Sequence, residues 1–424
     1  MTAIAQAKPV TYRRWQVQIL LTTWLAYAGY YFCRMNFYAV KKDLGQELGF
    51  DTSALGHLGT VYLAGYMLGQ FSSATFGRLL GPKRLLLVGT GLSVLCNVGL
   101  GLADGFWTFA IFLGLNGLAQ GTGWPSCIGS LGYWFKRDQR GSVLGVWSTC
   151  YLAGPFLATN FAGLMLQLFL DFRAAFFGAA AVLLLIWIAV LIFHPDTPEK
   201  VGLEPVRDGQ EPEVAPDGNQ KLGWSGQVVA TILMMGCIYF CIKFVRYLLF
   251  SWTPFFLGNN FGLEGPDAAY LSSVFYACGF AGVLFAGFVT DRVFKGKRAF
   301  LCLLMLGMMA LSLLLMATLG STRLLFFTIS MGLCGFMLYG PDSVLSGVGA
   351  IDVGSQRGAL VAAGIINGMG SAGPVFQEQL VAWLYQRTKG DLTPILVLLF
   401  SVAAAGAVLM FLLWLRSRRG KSNL

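Results

Sequence analysis

Apolar runs of about twenty residues return twelve times along the chain, each closed by a short polar or basic interval. They lie near 16–38, 54–77, 84–103, 106–134, 141–169, 173–194, 224–257, 268–290, 299–319, 322–350, 358–386 and 392–415. A helix of that length crosses a hydrocarbon layer of about 30 Å, so the predicted fold is an all-α membrane protein with twelve transmembrane helices. Residues 195–222, a polar stretch holding Pro, Asp, Glu and Gly, divide the runs six and six. The expected organisation is two pseudo-symmetric six-helix bundles, 1–194 and 223–424, joined by a cytoplasmic linker that lets the halves move.

Polar positions interrupt this pattern most sharply in the first run, Tyr27-Ala-Gly-Tyr30-Tyr31-Phe-Cys-Arg34-Met-Asn-Phe-Tyr38. An arginine keeps its charge at accessible pH, and facing hydrocarbon it costs roughly 2.5 to 3.5 kcal/mol even on lenient insertion scales. Arg34 must therefore face protein, water or an anion. At helical spacing Tyr27, Tyr30, Tyr31, Arg34 and Tyr38 share one stripe, which reads as a polar cavity wall. An offset of 212, half the chain, maps Tyr27 to Tyr239, Tyr31 to Lys243 and Arg34 to Arg246, again inside an apolar run. Duplicated halves whose first helices carry charged groups are a transporter architecture, with the site expected near the membrane midplane between the halves.

Composition supports the membrane reading: 56% of residues are hydrophobic and 12% charged, against roughly 25% charged in a soluble domain. Of the 30 basic residues, 21 fall in the tails and on the loops that share their face, six on the opposite face, and three inside spans: Arg34, Lys243 and Arg246. That bias puts both termini in the cytoplasm. The net charge of +10 is thus a topology signal and gives no support to nucleic-acid binding. All nine cysteines lie within predicted spans, so disulfides are not expected. His57 and His194 have no second ligand at metal spacing, so no metal site is expected. No cleavable signal is apparent, and the absence of an N-x-[ST] sequon is compatible with a bacterial inner membrane. Gly368-Met-Gly370-Ser-Ala-Gly373 fits a dinucleotide fingerprint, but inside a membrane helix with no preceding strand it reads as close helix packing. There is no Walker lysine loop either, so ATP is not expected to drive transport; no cofactor and no enzymatic activity are expected.

The repeat shows at further places. Ala74-Thr-Phe-Gly-Arg78-Leu-Leu-Gly81-Pro-Lys83-Arg84 is answered by Gly287-Phe-Val-Thr-Asp291-Arg292-Val-Phe-Lys295-Gly296-Lys297-Arg298, and Gln-Arg-Gly at 139–141 returns at 356–358. The second-half loop resembles the signature loop of the major facilitator superfamily, whereas the first-half copy has Arg78 where an Asp is usual. Within that superfamily the chain resembles the organophosphate:phosphate antiporters, which include glycerol-3-phosphate and hexose-phosphate transporters. The matching residues are Tyr-Arg-Arg-Trp at 12–15, Tyr30-Tyr31-x-x-Arg34-x-Asn36-Phe37, Gly-Trp-Pro-x-Cys at 123–127 and Val146-Trp147. Asp196-Thr-Pro, Val245-Arg246-Tyr247 with Trp252-x-Pro254, the Asp291 loop and Tyr339-Gly-Pro341 continue the match along nearly the whole chain.

The resemblance implies that Arg34 and Arg246 grip a phosphate, with Tyr27, Tyr31 and Trp124 near the substrate. Where the glycerol-phosphate members have a lysine in span 2 this chain has Gln70, and where they have a histidine in span 5 it has Tyr151. Lys243 stands where they have a tyrosine, so one cation is lost and another gained, which argues for a different organic moiety. Asp342 is open to three roles: partner of Lys243, counter-ion of the empty site, or carrier of a coupling proton. Asn367 is a candidate wall for the organic part, and Glu378, near an extracytoplasmic span end, is expected to be solvated. The expected function is exchange of a phosphorylated metabolite for inorganic phosphate by alternating access, by a monomer in a lipid bilayer. A membrane sensor of sugar phosphate and a proton-coupled organic anion transporter are the alternatives.

Overall fold

The computed structural model describes residues 9–135, 143–206, 225–292, 298–345 and 349–419. The basic loop at 136–142, the linker from 207 and the loop at 293–297 lie outside the described residues, as do the side chains of Arg78, Asp291, Arg292 and Arg357. What is described is helical, with no strand. Pro9–Ala39 answers the first expected span, Phe172–Phe193 the sixth, Gly226–Phe261 the seventh, Arg298–Leu315 the ninth and Thr393–Arg418 the twelfth. Eight described stretches are long and apolar enough to cross a membrane. Pro9–Ala39, which carries Arg34 and its tyrosines, is not among them.

Several spans are broken where backbone chemistry demands it. The fourth divides into Phe106–Gln120 and Gly123–Trp134 around Gly121 and Thr122. The second and third run on as Thr52–Gly101, turning at Gly81 with φ 74° and ψ 165°, a conformation glycine alone adopts without strain. Pro82 follows, and Asp196 reaches across from the far end of the same half: its Oδ1 accepts from the Lys83 backbone N–H at 3.2 Å. A carboxylate at the first turn of a helix both satisfies an orphan donor and complements the helix dipole.

The chain divides into two compact units, one of Met1–Phe37 with Val61–Ala215, the other of Tyr38–Thr60 with Pro216–Leu424. Within the first, Thr52–Gly101 and Phe106–Gln120 pack at glycines: a Cβ on Gly65 would strike the Gly114 carbonyl, and one on Gly117 the Tyr62 carbonyl. The second unit repeats the device between Val274–Arg292 and Leu324–Ser343, where a Cβ on Gly282 would strike the Phe336 carbonyl and one on Gly335 that of Phe275. Small residues let membrane helices approach backbone to backbone, and here they set the helix pairs that carry the polar side chains.

Candidate functional site

In the first unit Arg34 is buried at 6% exposure, and its surroundings show how that is tolerated. Its Nε donates to Gln120 Oε1 at 3.0 Å, and its guanidinium lies 4.8 Å from the Tyr31 and Tyr66 ring centres and 5.9 Å from that of Tyr62. Gln120 is held in turn: Oε1 also accepts from the Tyr62 hydroxyl at 2.8 Å, while Nε2 donates to the Cys33 carbonyl at 3.1 Å. Tyr31 precedes Arg34 by three residues, Tyr62 and Tyr66 are one turn apart, and Gln120 ends its helix, so helical register brings three elements to one guanidinium. Gln120 was not among the expected site residues; an amide one turn after Asn116 at the end of an apolar run was its only mark in the sequence.

Beside this arginine stands a five-ring cluster. Tyr27 lies 5.9 Å from Tyr31, 6.2 Å from Trp124, 5.2 Å from Trp147 and 5.2 Å from Tyr151, centre to centre. Trp124, at the start of the helix after the span-4 break, keeps 38% of its surface exposed, so the cluster has an open aromatic face. The expected tyrosine stripe does not stay together. Tyr30 turns instead towards Thr122, 3.3 Å away, and Tyr38 belongs to the second unit, where its ring packs 5.3 Å from Phe250. Gln70 is half-buried and makes no hydrogen bond among the described residues.

In the second unit the cations of Gly226–Phe261 meet polar groups from two other helices. Arg246 Nη1 lies 3.1 Å from Asp342 Oδ2, and its guanidinium stands 5.0 Å from the Tyr339 ring centre. Tyr339 and Asp342 share a face of Leu324–Ser343 at three-residue spacing. Lys243, one turn before Arg246, donates to Ser371 Oγ at 3.1 Å and to Asn367 Oδ1 at 3.4 Å, and stands 4.8 Å over the Tyr239 ring. Asp342 thus forms an ion pair with Arg246, a partner beyond the three roles read from the sequence. Gly370 fits the helix-packing reading of its motif, since a Cβ there would strike the Tyr239 ring and come within 3.2 Å of Lys243 Cδ.

One expectation is overturned. Glu378 is fully buried, and its Oε2 lies 3.1 Å from Nζ of an equally buried Lys41. The ammonium sits 3.8 Å over the Trp252 ring and 5.1 Å over Tyr38. The carboxylate is enclosed because Gly59 faces it without a side chain; a Cβ there would stand 2.7 Å from Oε2.

This arrangement, with one cation-bearing first helix in each sequence half and polar groups converging on buried guanidinium groups, is that of a solute carrier. The family model for the Major Facilitator Superfamily matches residues 23–377, and the chain belongs to that superfamily of membrane transporters. It is 24% identical over 424 residues to the glycerol-3-phosphate transporter of Bacillus subtilis (strain 168), covering 97% of this chain and 95% of the relative. It is 29% identical over 377 residues to sugar phosphate exchanger 3 of Homo sapiens, covering 78% and 74%. The crystal structure of a D-xylose-proton symporter superposes with a TM-score of 0.72 at 14% identity, covering 93% of this chain and 97% of that one, a likeness of fold alone.

Proposed function

We propose that this protein is a secondary antiporter that exchanges a phosphorylated metabolite for inorganic phosphate by alternating access, in a bacterial inner membrane with both termini cytoplasmic. The observation that carries the proposal is the pair of membrane-buried cation clusters at equivalent positions of the two halves, Arg34 in one and Lys243 with Arg246 in the other. A guanidinium offers a planar fork of donors that matches two phosphate oxygens, and low dielectric strengthens such charge-assisted bonds. The names of the relatives, a glycerol-3-phosphate transporter and a sugar phosphate exchanger, support an organophosphate as the second substrate. The open Trp124 face with Tyr27 and Tyr151 supplies a surface against which the apolar face of a sugar or polyol packs.

Exchange follows from the same electrostatics. Buried cations are least costly when an anion is present, so the unit-to-unit reorientation is favoured with phosphate or organophosphate bound. The test is uptake of labelled phosphate into proteoliposomes preloaded with phosphate, followed by a chase with phosphorylated metabolites. Uptake that requires internal phosphate, and release by external organophosphate, are expected. Binding without flux would replace the antiporter by a sensor. Accumulation driven by a pH gradient in phosphate-free liposomes would replace it by a proton-coupled carrier.

A further inference from the structure

Resting on that reading of the chain as a phosphate exchanger, we propose that Asn116 and Ser93 are positioning residues for Arg34, acting through the Gln120 carboxamide whose oxygen caps the guanidinium Nε. Arg34 comes from Pro9–Ala39, Ser93 from Thr52–Gly101, and Asn116 and Gln120 from Phe106–Gln120. Ser93, Asn116 and Gln120 are each at most 1% exposed, so every polar atom they carry must find its partner inside the bundle.

The bonds they make leave one orientation for the whole set. Arg34 Nε can only donate, so Gln120 must turn its oxygen to it, at 3.0 Å. The Cys33 carbonyl can only accept, so the same amide must turn its NH2 there, at 3.1 Å. That NH2 also meets Asn116 Oδ1 at 3.3 Å and Ser93 Oγ at 3.4 Å. Asn116 sits one turn before Gln120 and is fixed in the same sense: its Nδ2 donates to the Cys33 carbonyl at 2.8 Å, and its Oδ1 accepts from the Ser93 hydroxyl at 2.5 Å. A flipped Gln120 would set donor against donor at Nε and oxygen against oxygen at Cys33 and Asn116.

The network also reaches the backbone that carries Arg34. Both lone pairs of the Cys33 carbonyl go to the amides of Asn116 and Gln120, while the Phe37 N–H, its partner in a regular helix, donates to Asn36 Oδ1 at 2.8 Å. Asn36 is anchored in turn, its Nδ2 donating to Asn97 Oδ1 at 2.7 Å. The peptide that leads into Arg34 is therefore held from another helix, and the direction in which the arginine side chain departs is held with it. Nε carries a single hydrogen, and Gln120 takes it, so the fork that matches two phosphate oxygens is the pair of terminal NH2 groups.

The test is a double-mutant cycle on phosphate binding in detergent with four full-length proteins, wild type, Asn116→Leu, Gln120→Leu and the double variant, each also measured for phosphate exchange in proteoliposomes. Asn116→Leu is expected to weaken phosphate by about three- to tenfold, and Gln120→Leu by about tenfold or more. The double variant should match Gln120→Leu within about twofold, because the group that Asn116 positions is already gone. Losses that multiply in the double variant, or Asn116→Leu binding phosphate like wild type, overturn the assignment. A residue that only holds helices together lowers the unfolding midpoint and leaves the phosphate affinity of the folded protein unchanged, which is the second of those results. Ser93→Ala is run through the same cycle with the same two outcomes and, as the smaller change, decides the case where the leucine variant does not fold. A wild type that binds phosphate without exchanging it removes the antiporter while the cycle still decides Asn116 and Ser93; one that binds no phosphate removes both.

Discussion

Replacing Glu378 by glutamine takes the charge from a carboxylate that has no access to water, and leaves an ammonium equally enclosed. Removing one partner of a buried ion pair costs about 3 to 5 kcal/mol, because the remaining charge was desolvated on the expectation of its counter-ion. Two features of the structure reduce that figure. Glutamine still accepts a hydrogen bond from Nζ, and the Trp252 ring at 3.8 Å retains a desolvated cation–π contact of about 2 kcal/mol. The expected loss is therefore about 2 to 4 kcal/mol, which for a unit of this size lowers the unfolding midpoint by roughly 5 to 15 °C. The assay is thermal unfolding of the purified protein in detergent, followed by tryptophan fluorescence.

A second variant separates charge from packing. Lys41→Met with Glu378→Met replaces the pair by apolar groups of similar length, and such replacements are close to neutral or stabilising. The double variant should consequently unfold well above Glu378→Gln. A Glu378→Gln midpoint within about 1 °C of wild type, or a double variant as unstable as the single, would refute the claim that the pair is a buried and energetically coupled unit.

Further outcomes follow from the same geometry. Arg34→Lys should nearly abolish phosphate exchange, since an ammonium cannot reproduce the planar fork or span the distance to Gln120; exchange near the wild-type rate with normal insertion would take Arg34 out of the site. Gln120→Leu should lower exchange by about tenfold or more by removing the acceptor that orients Arg34, and Gln120→Glu should lower it further by placing an acid against the guanidinium; equal rates in all three proteins would count against the contact. His194, the first residue past the Phe172–Phe193 helix, has its pKa pushed down by burial from 6.5 to about 4. The unfolded chain then binds more protons between those values, so stability is full above pH 6.5 and falls as the pH drops towards 4. The span of that shift corresponds to about 3 kcal/mol as an upper figure. Thermal midpoints measured between pH 4 and 7.5 should fall less in His194→Leu than in wild type, and parallel curves would show that other groups titrate there.

The helical membrane fold was legible because membrane crossing imposes a length and a composition on each segment independently of its neighbours. The clusters were legible only in part, because a local pattern shows which residue is polar but not which distant residue meets it. Arg34 announced itself as a charge where hydrocarbon was expected, yet Gln120, 86 positions away, became visible as its partner only once the helices were packed. Lys41 and Glu378 are separated by 337 positions, and Glu378 taken alone reads as an ordinary solvated span end. The tyrosine stripe shows the converse limit: helical spacing placed Tyr27, Tyr30, Tyr31 and Tyr38 on one face, but the neighbours facing Tyr30 and Tyr38 are a threonine and a phenylalanine. Asp196 shows the same non-local dependence. Asp196, read from the sequence as part of a motif at the start of the linker, places its carboxylate on the Lys83 backbone N–H. Its side chain also pairs with Lys200 at 3.0 Å, so one acid ties the turn between the second and third spans to the chain that leaves the sixth.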